Sequence, residues 1–130
     1  MLKRCSTVTV GGRELCLLLN TEALTMIVEK YESIEKVAER MDGGTAAQLR
    51  IVPDVVSILA TQGEEMKGSS DVITPEWIMK HSFPSDLKGM SDAFIEAINK
   101  GMKVETAQQE TEVDEVLADI QKNGQGAAGT

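Results

Sequence analysis

The sequence predicts an α+β fold: an N-terminal β-hairpin followed by a bundle of four to five helices, with a flexible acidic C-terminal tail. Three observations carry this. Residues 6–19 alternate in the β manner around a glycine pair, residues 21–102 carry apolar residues at helical spacing between capping residues, and the composition turns acidic and glycine-rich after Met102.

The hairpin is read from Ser6-Thr-Val-Thr-Val10, Gly11-Gly12-Arg13, and the apolar run Leu15 to Leu19. Opposed residues share a face, so Val8 and Val10 call for apolar partners. Pairing Val10 with Leu15 and Val8 with Leu17 supplies them and closes a four-residue loop over residues 11–14. That register sets Cys16 opposite Thr9 and leaves Cys5 about 13 Å further along its strand, beyond the ~7 Å that a disulfide spans between Cα atoms. Two free thiols are therefore expected, as suits a reducing cytoplasm.

Asn20 or Thr21 opens the next element, with Leu24, Ile27, Val28 and Tyr31 on one helical face. The stripe resumes after Ser33 through Ile34, Val37, Ala38 and Met41 and stops at Asp42-Gly43-Gly44, so residues 21–41 form one bent helix or two. Thr45 is the expected cap of a third stretch, Ala46 to about Glu64. Its apolar residues cover more than half the circumference and make it the central helix. Pro53 inside it predicts a kink or a fresh start, and Gly63 to Asp71 reads as a loop. Thr74-Pro75-Glu76 combines a capping hydroxyl, a proline at the first helical position and a carboxylate at the positive end of the dipole, opening a short helix that ends near His81. After Ser85-Asp86 the last helix carries Leu87, Met90, Phe94, Ile95 and Ile98 on one face and ends at Gly101.

Residues 1–102 thus make one compact domain, and residues 103–130, with two lysines against six acidic residues, an acidic, mobile tail. Within it Val113, Val116, Leu117 and Ile120 share a helical face and form the candidate partner-binding segment.

Composition excludes more than it names. Thirteen basic against 21 acidic residues give a net charge of -8, which argues against nucleic acid and anionic membranes as partners. No apolar run reaches the ~18–20 residues of a membrane span, and Met1-Leu2-Lys3-Arg4 leads into polar Ser6 and Thr7 rather than a signal-peptide core. Tyr31, Trp77, Phe83 and Phe94 are the only aromatics, so the core is aliphatic. Met26, Met41, Met66, Met79, Met90 and Met102 read as helix core or helix edge.

Catalytic chemistry finds little to stand on. His81 is the single histidine and reads as a structural or solvent-facing residue at a helix end, where the helix dipole favours its charge. The cysteines lack the spacing and histidine partners of a zinc site. Glu29, Glu32, Glu35 and Glu39 interleave with Lys30, Lys36 and Arg40 as a solvated face. Gly11-Gly12 joins strand to strand, whereas a phosphate-binding loop joins strand to helix. No enzymatic activity, cofactor or metal is expected.

The order of parts is more informative than any motif. The hairpin Thr7-Val8-Thr9-Val10-Gly11-Gly12-Arg13-Glu14-Leu15 runs into Asn20-Thr21-Glu22-Ala23-Leu24, which opens a helix reaching Glu29-Lys30-Tyr31. A buried helix, the Thr74-Pro75-Glu76 start and a final helix follow. Over residues 6–102 this resembles the tail assembly chaperones of long-tailed bacteriophages and prophages. The helix-breaking Pro53 departs from that pattern. The resemblance implies a non-enzymatic protein of the bacterial host cytoplasm that binds the long, hydrophobic phage tape measure protein, with tail tube protein as a further partner, and keeps it soluble until the tail assembles. It leaves a homo-oligomer open. Two other functions are compatible with the residues: a small cytoplasmic regulatory adaptor that binds one protein partner through residues 113–120, and a minor structural subunit of the virion.

Overall fold

The computed structural model describes residues 4–103, an antiparallel hairpin followed by five helices. The strands are β1 (Cys5–Val10) and β2 (Arg13–Leu18); the helices are α1 (Thr21–Tyr31), α2 (Ile34–Met41), α3 (Thr45–Met66), α4 (Pro75–His81) and α5 (Leu87–Met102). A single 3-10 turn over Pro84–Asp86 leads into α5.

The hairpin closes more tightly than the four-residue loop expected. Gly11 and Gly12 alone form the turn, with φ of 60° and 79°, the doubly positive pair that a two-residue turn needs to match strand twist. Val10 then faces Arg13, Val8 faces Leu15, Thr7 faces Cys16 and Cys5 faces Leu18. The expected pairing of Val10 with Leu15 gives way to this turn geometry. Arg13 serves as Val10's neighbour because its guanidinium turns outward, over the Trp77 ring and toward Glu64 and Asp71.

The register brings the thiols together. Cys5 lies two residues along from Thr7, on the same face as Cys16, and the two sulfurs are 2.7 Å apart rather than on distant parts of the strands. Both cysteines are buried thiols outside any disulfide. Burial and the adjacent Cys5 push the Cys16 thiol up to about 12.

Caps define the helices where the sequence placed them, with one exception. The side chains of Asn20, Ser33 and Thr74 accept the backbone N–H groups of Ala23, Lys36 and Trp77. Glu32, at φ 78°, breaks residues 21–41 into two helices. Thr45, the expected cap of α3, is instead its first helical residue, with Gly44 at the cap position and no side-chain capping bond. Pro53 does not restart α3, which is helical from Thr45 to Met66 and so extends through Gly63, a position expected to begin a loop.

α3 is the central element: it packs against β2, α1, α2, α4 and α5. Val52, Val55, Val56 and Leu59 on it are fully buried, as are Val10, Leu15, Leu17, Ile27, Val37 and Ile78 around it. Each such side chain contributes roughly 1.5–3 kcal/mol on leaving water. No described helix is long and apolar enough to cross a membrane.

Candidate functional site

The surface feature that core packing leaves unexplained runs along α5. The sequence assigns Leu87, Met90, Phe94, Ile95 and Ile98 to one core face. The structure turns α5 about its axis so that small residues share that role. Ala93 and Ala97 are buried, the Ser6 hydroxyl donates to the Ala93 carbonyl at 2.5 Å, and Gly101 packs on Leu19. Residues 93, 97 and 101 recur every four positions, so the helix backbone sits close against the hairpin. Met90 and Phe94 remain in the core, Leu87 and Ile98 are half-buried, and Ile95 is 49% exposed, an outward position its place on the expected core face did not suggest.

Two shallow clefts follow that stripe. α2 and α5 both pack on α3, and a furrow of about 470 Å³ opens between them. Ile34, Ala38, Met41, Phe94, Ile95 and Ile98 form its apolar part, and Asp42, Gln48, Ser91 and Asn99 add polar groups. Gln48 is held in place by donating to the Met41 carbonyl at 2.7 Å. Further toward the start of α5, a cleft of about 230 Å³ lies among Leu49, Pro53, Met79, Phe83, Leu87 and Met90. Phe83 is 73% exposed and Met79 52% exposed.

Both clefts use one row of α5. Leu87, Met90, Ser91, Phe94, Ile95 and Ile98 follow the i, i+3, i+4, i+7, i+8, i+11 series of a single helical face, about 16 Å long. On that face Ile95 is exposed, Leu87 and Ile98 are half-buried and Met90 and Phe94 are buried, so the two clefts offer apolar surface toward either end of the row. An exposed aromatic, methionine and isoleucine along one track are the composition of a surface that repacks against varied apolar partners. Met26, Met66 and Met102 are also exposed, whereas Met41 and Met90 are core residues.

The other residues singled out in the sequence lie away from these clefts or outside the described residues. His81 stacks on Trp77 with ring centroids 4.5 Å apart, and its Nδ1 lies 2.8 Å from the Trp77 carbonyl. Its Cβ packs against the hairpin turn at Gly11. Lys36 and Glu39 form an exposed ion pair at 3.9 Å. Among the described residues no group of three His, Cys, Asp or Glu side chains is placed to hold a metal ion. Val113, Val116, Leu117 and Ile120 lie outside the described residues.

A second polar feature escaped the sequence reading. The Tyr31 hydroxyl donates to the Asp54 carboxylate, which also pairs with Lys30 at 2.7 Å. Burial, followed by that hydrogen bond and the Asp54 charge, holds the tyrosine proton well above its ordinary range. No protein-family model matches the chain, and no curated protein or solved structure matches it either.

Proposed function

We propose that this protein is a phage or prophage tail assembly chaperone, which binds the tape measure protein without catalysis and keeps it soluble in the bacterial host cytoplasm during tail assembly. The observation that carries the reading is the apolar track along α5, with Ile95, Met79 and Phe83 exposed beside a polar rim. A tape measure protein offers long amphipathic helices, and the apolar clefts toward the two ends of the α5 row suit side chains of such a segment. The order of hairpin and helices, which resembles that chaperone family, supports the same reading. Val113, Val116, Leu117 and Ile120 supply a second apolar contact, and tail tube subunits are further clients.

The net charge of -8 fits this role, since like-charge repulsion limits self-aggregation of a protein that displays apolar side chains. Co-expression with a tape measure protein tests it: a soluble, co-purifying complex is the expected result. A folded chain that leaves the client insoluble and binds no tail protein would contradict it and favour the regulatory adaptor.

A further inference from the structure

We infer that a cleft between α1, α2 and α3 is a binding site for an acidic, aliphatic peptide, and that its occupant is the chain's own segment around residues 110–120. The cleft lies on a different face from the α5 track, but its occupant is the segment to which the chaperone reading gives a client contact, so the test below uses no client and fails or succeeds separately from that reading.

The cleft, about 380 Å³, is lined by Tyr31, Arg40, Ala47, Arg50 and Ile51. Arg40 lies over the Tyr31 ring at 5.5 Å. Arg40 and Arg50 are both exposed, and neither has an ion-pair partner among the described residues. The nearby carboxylate, Asp54, is already engaged by Lys30 and the Tyr31 hydroxyl. Lys30 and Asp54 thus answer each other, and the Arg40 and Arg50 guanidinium groups are the charges that line the cleft. Two guanidinium groups left open beside an aromatic and aliphatic floor suit carboxylates carried on an apolar segment. A polyanion such as nucleic acid would gain two cations here and be repelled by the rest of the surface.

The segment Glu110-Thr-Glu-Val-Asp-Glu-Val-Leu-Ala-Asp-Ile120 has this chemistry, five carboxylates among Val113, Val116, Leu117 and Ile120. It is also within reach. Gly101 packs on Leu19, just before the cap of α1, and the 11 residues of α1 span about 16 Å to Tyr31 at the cleft. Glu112 follows Lys103 by nine residues, up to about 30 Å of chain. Held there, the segment's aliphatic side chains are withheld from other partners until a competitor displaces them.

The test uses the full chain with Glu112→Lys, Asp114→Lys and Glu115→Lys, which vacates the cleft without touching the folded domain. A fluorescent synthetic peptide of residues 108–122 should bind this variant. Adding Arg40→Gln and Arg50→Gln, both at exposed positions, should weaken it at least about tenfold, and so should ionic strength near 1 M, where the screening length is about 3 Å. The unsubstituted chain should bind the peptide at least about tenfold more weakly than the charge-reversed one, because its own segment competes at an effective concentration of about millimolar. No binding to the charge-reversed chain, or binding indifferent to the arginine substitutions, overturns the site. Equal binding by both chains overturns the occupant, as does self-association of the native chain that the charge reversal abolishes, which would give the cleft to a second copy.

Discussion

Gly63 of α3 lies so close to Cys16 of β2 that a Cβ built on it would stand 2.0 Å from the Cys16 carbonyl oxygen. The glycine lets the central helix dock on the hairpin at backbone distance. It also explains why a residue that resembles a loop opener sits inside a helix, where glycine ordinarily costs up to about 1 kcal/mol relative to alanine. Gly63→Ala should destabilise the fold by about 2–4 kcal/mol, because the obstacle is backbone and cannot rotate away. Urea denaturation measures this; a loss under about 0.5 kcal/mol would mean that α3 and β2 are further apart.

The row of small residues on α5 makes a parallel case. Ala97 is fully buried, so Ala97→Leu should push α5 off the hairpin and cost about 1–3 kcal/mol. A stability gain in thermal denaturation would show that the row is not close-packed.

These two contacts mark the boundary of what the sequence conveys. Asn20, Ser33 and Thr74 announced their helices because a capping side chain acts on the two or three residues that follow it. The hairpin itself was legible and its register was not, because Val10 sets aside an apolar partner in favour of a two-residue glycine turn. Ile95 was placed in the core because a hydrophobic stripe takes no account of alanine and glycine, the residues that rotate α5. Arg40 reads in the sequence as part of a solvated face, and Arg50 carries no signal of its own. Only the packing of α1, α2 and α3 brings them to the Tyr31 cleft.

The paired cysteines give a pH dependence with a definite sign. Cys16 is raised from 9.0 to about 12, so the folded protein holds a proton that the unfolded chain releases. Its contribution to stability is complete below about pH 9 and is lost progressively as pH rises toward 12. Tyr31, also raised, adds a loss of the same sign above its ordinary value of 10.0. The urea midpoint should fall as pH rises from about 9 toward 12, and Cys16→Ala should flatten that fall; an unchanged slope would contradict the assignment to Cys16. Thiol labelling of the denatured, unreduced protein should modify both Cys5 and Cys16, and blocked thiols would contradict the thiol pair.

The C-terminal segment is testable separately from the domain. Val116→Asp with Ile120→Asp should leave the domain folded and weaken tape measure binding at least about 100-fold, given roughly 1.5–3 kcal/mol for each aliphatic side chain buried. An unchanged complex would remove the segment from the client interface and leave the α5 track alone.

The most direct measurement is the affinity of the full chain for a tape measure protein, compared with that of an Ile95→Asp, Phe83→Asp double variant. Ile95 is 49% and Phe83 73% exposed, so the variant should unfold within about 0.5 kcal/mol of the native chain. Loss of at least about 100-fold in affinity, with the unfolding transition intact, is the result expected if the track along α5 is the client site. A variant that stays folded and holds the tape measure protein as tightly as the native chain would contradict it.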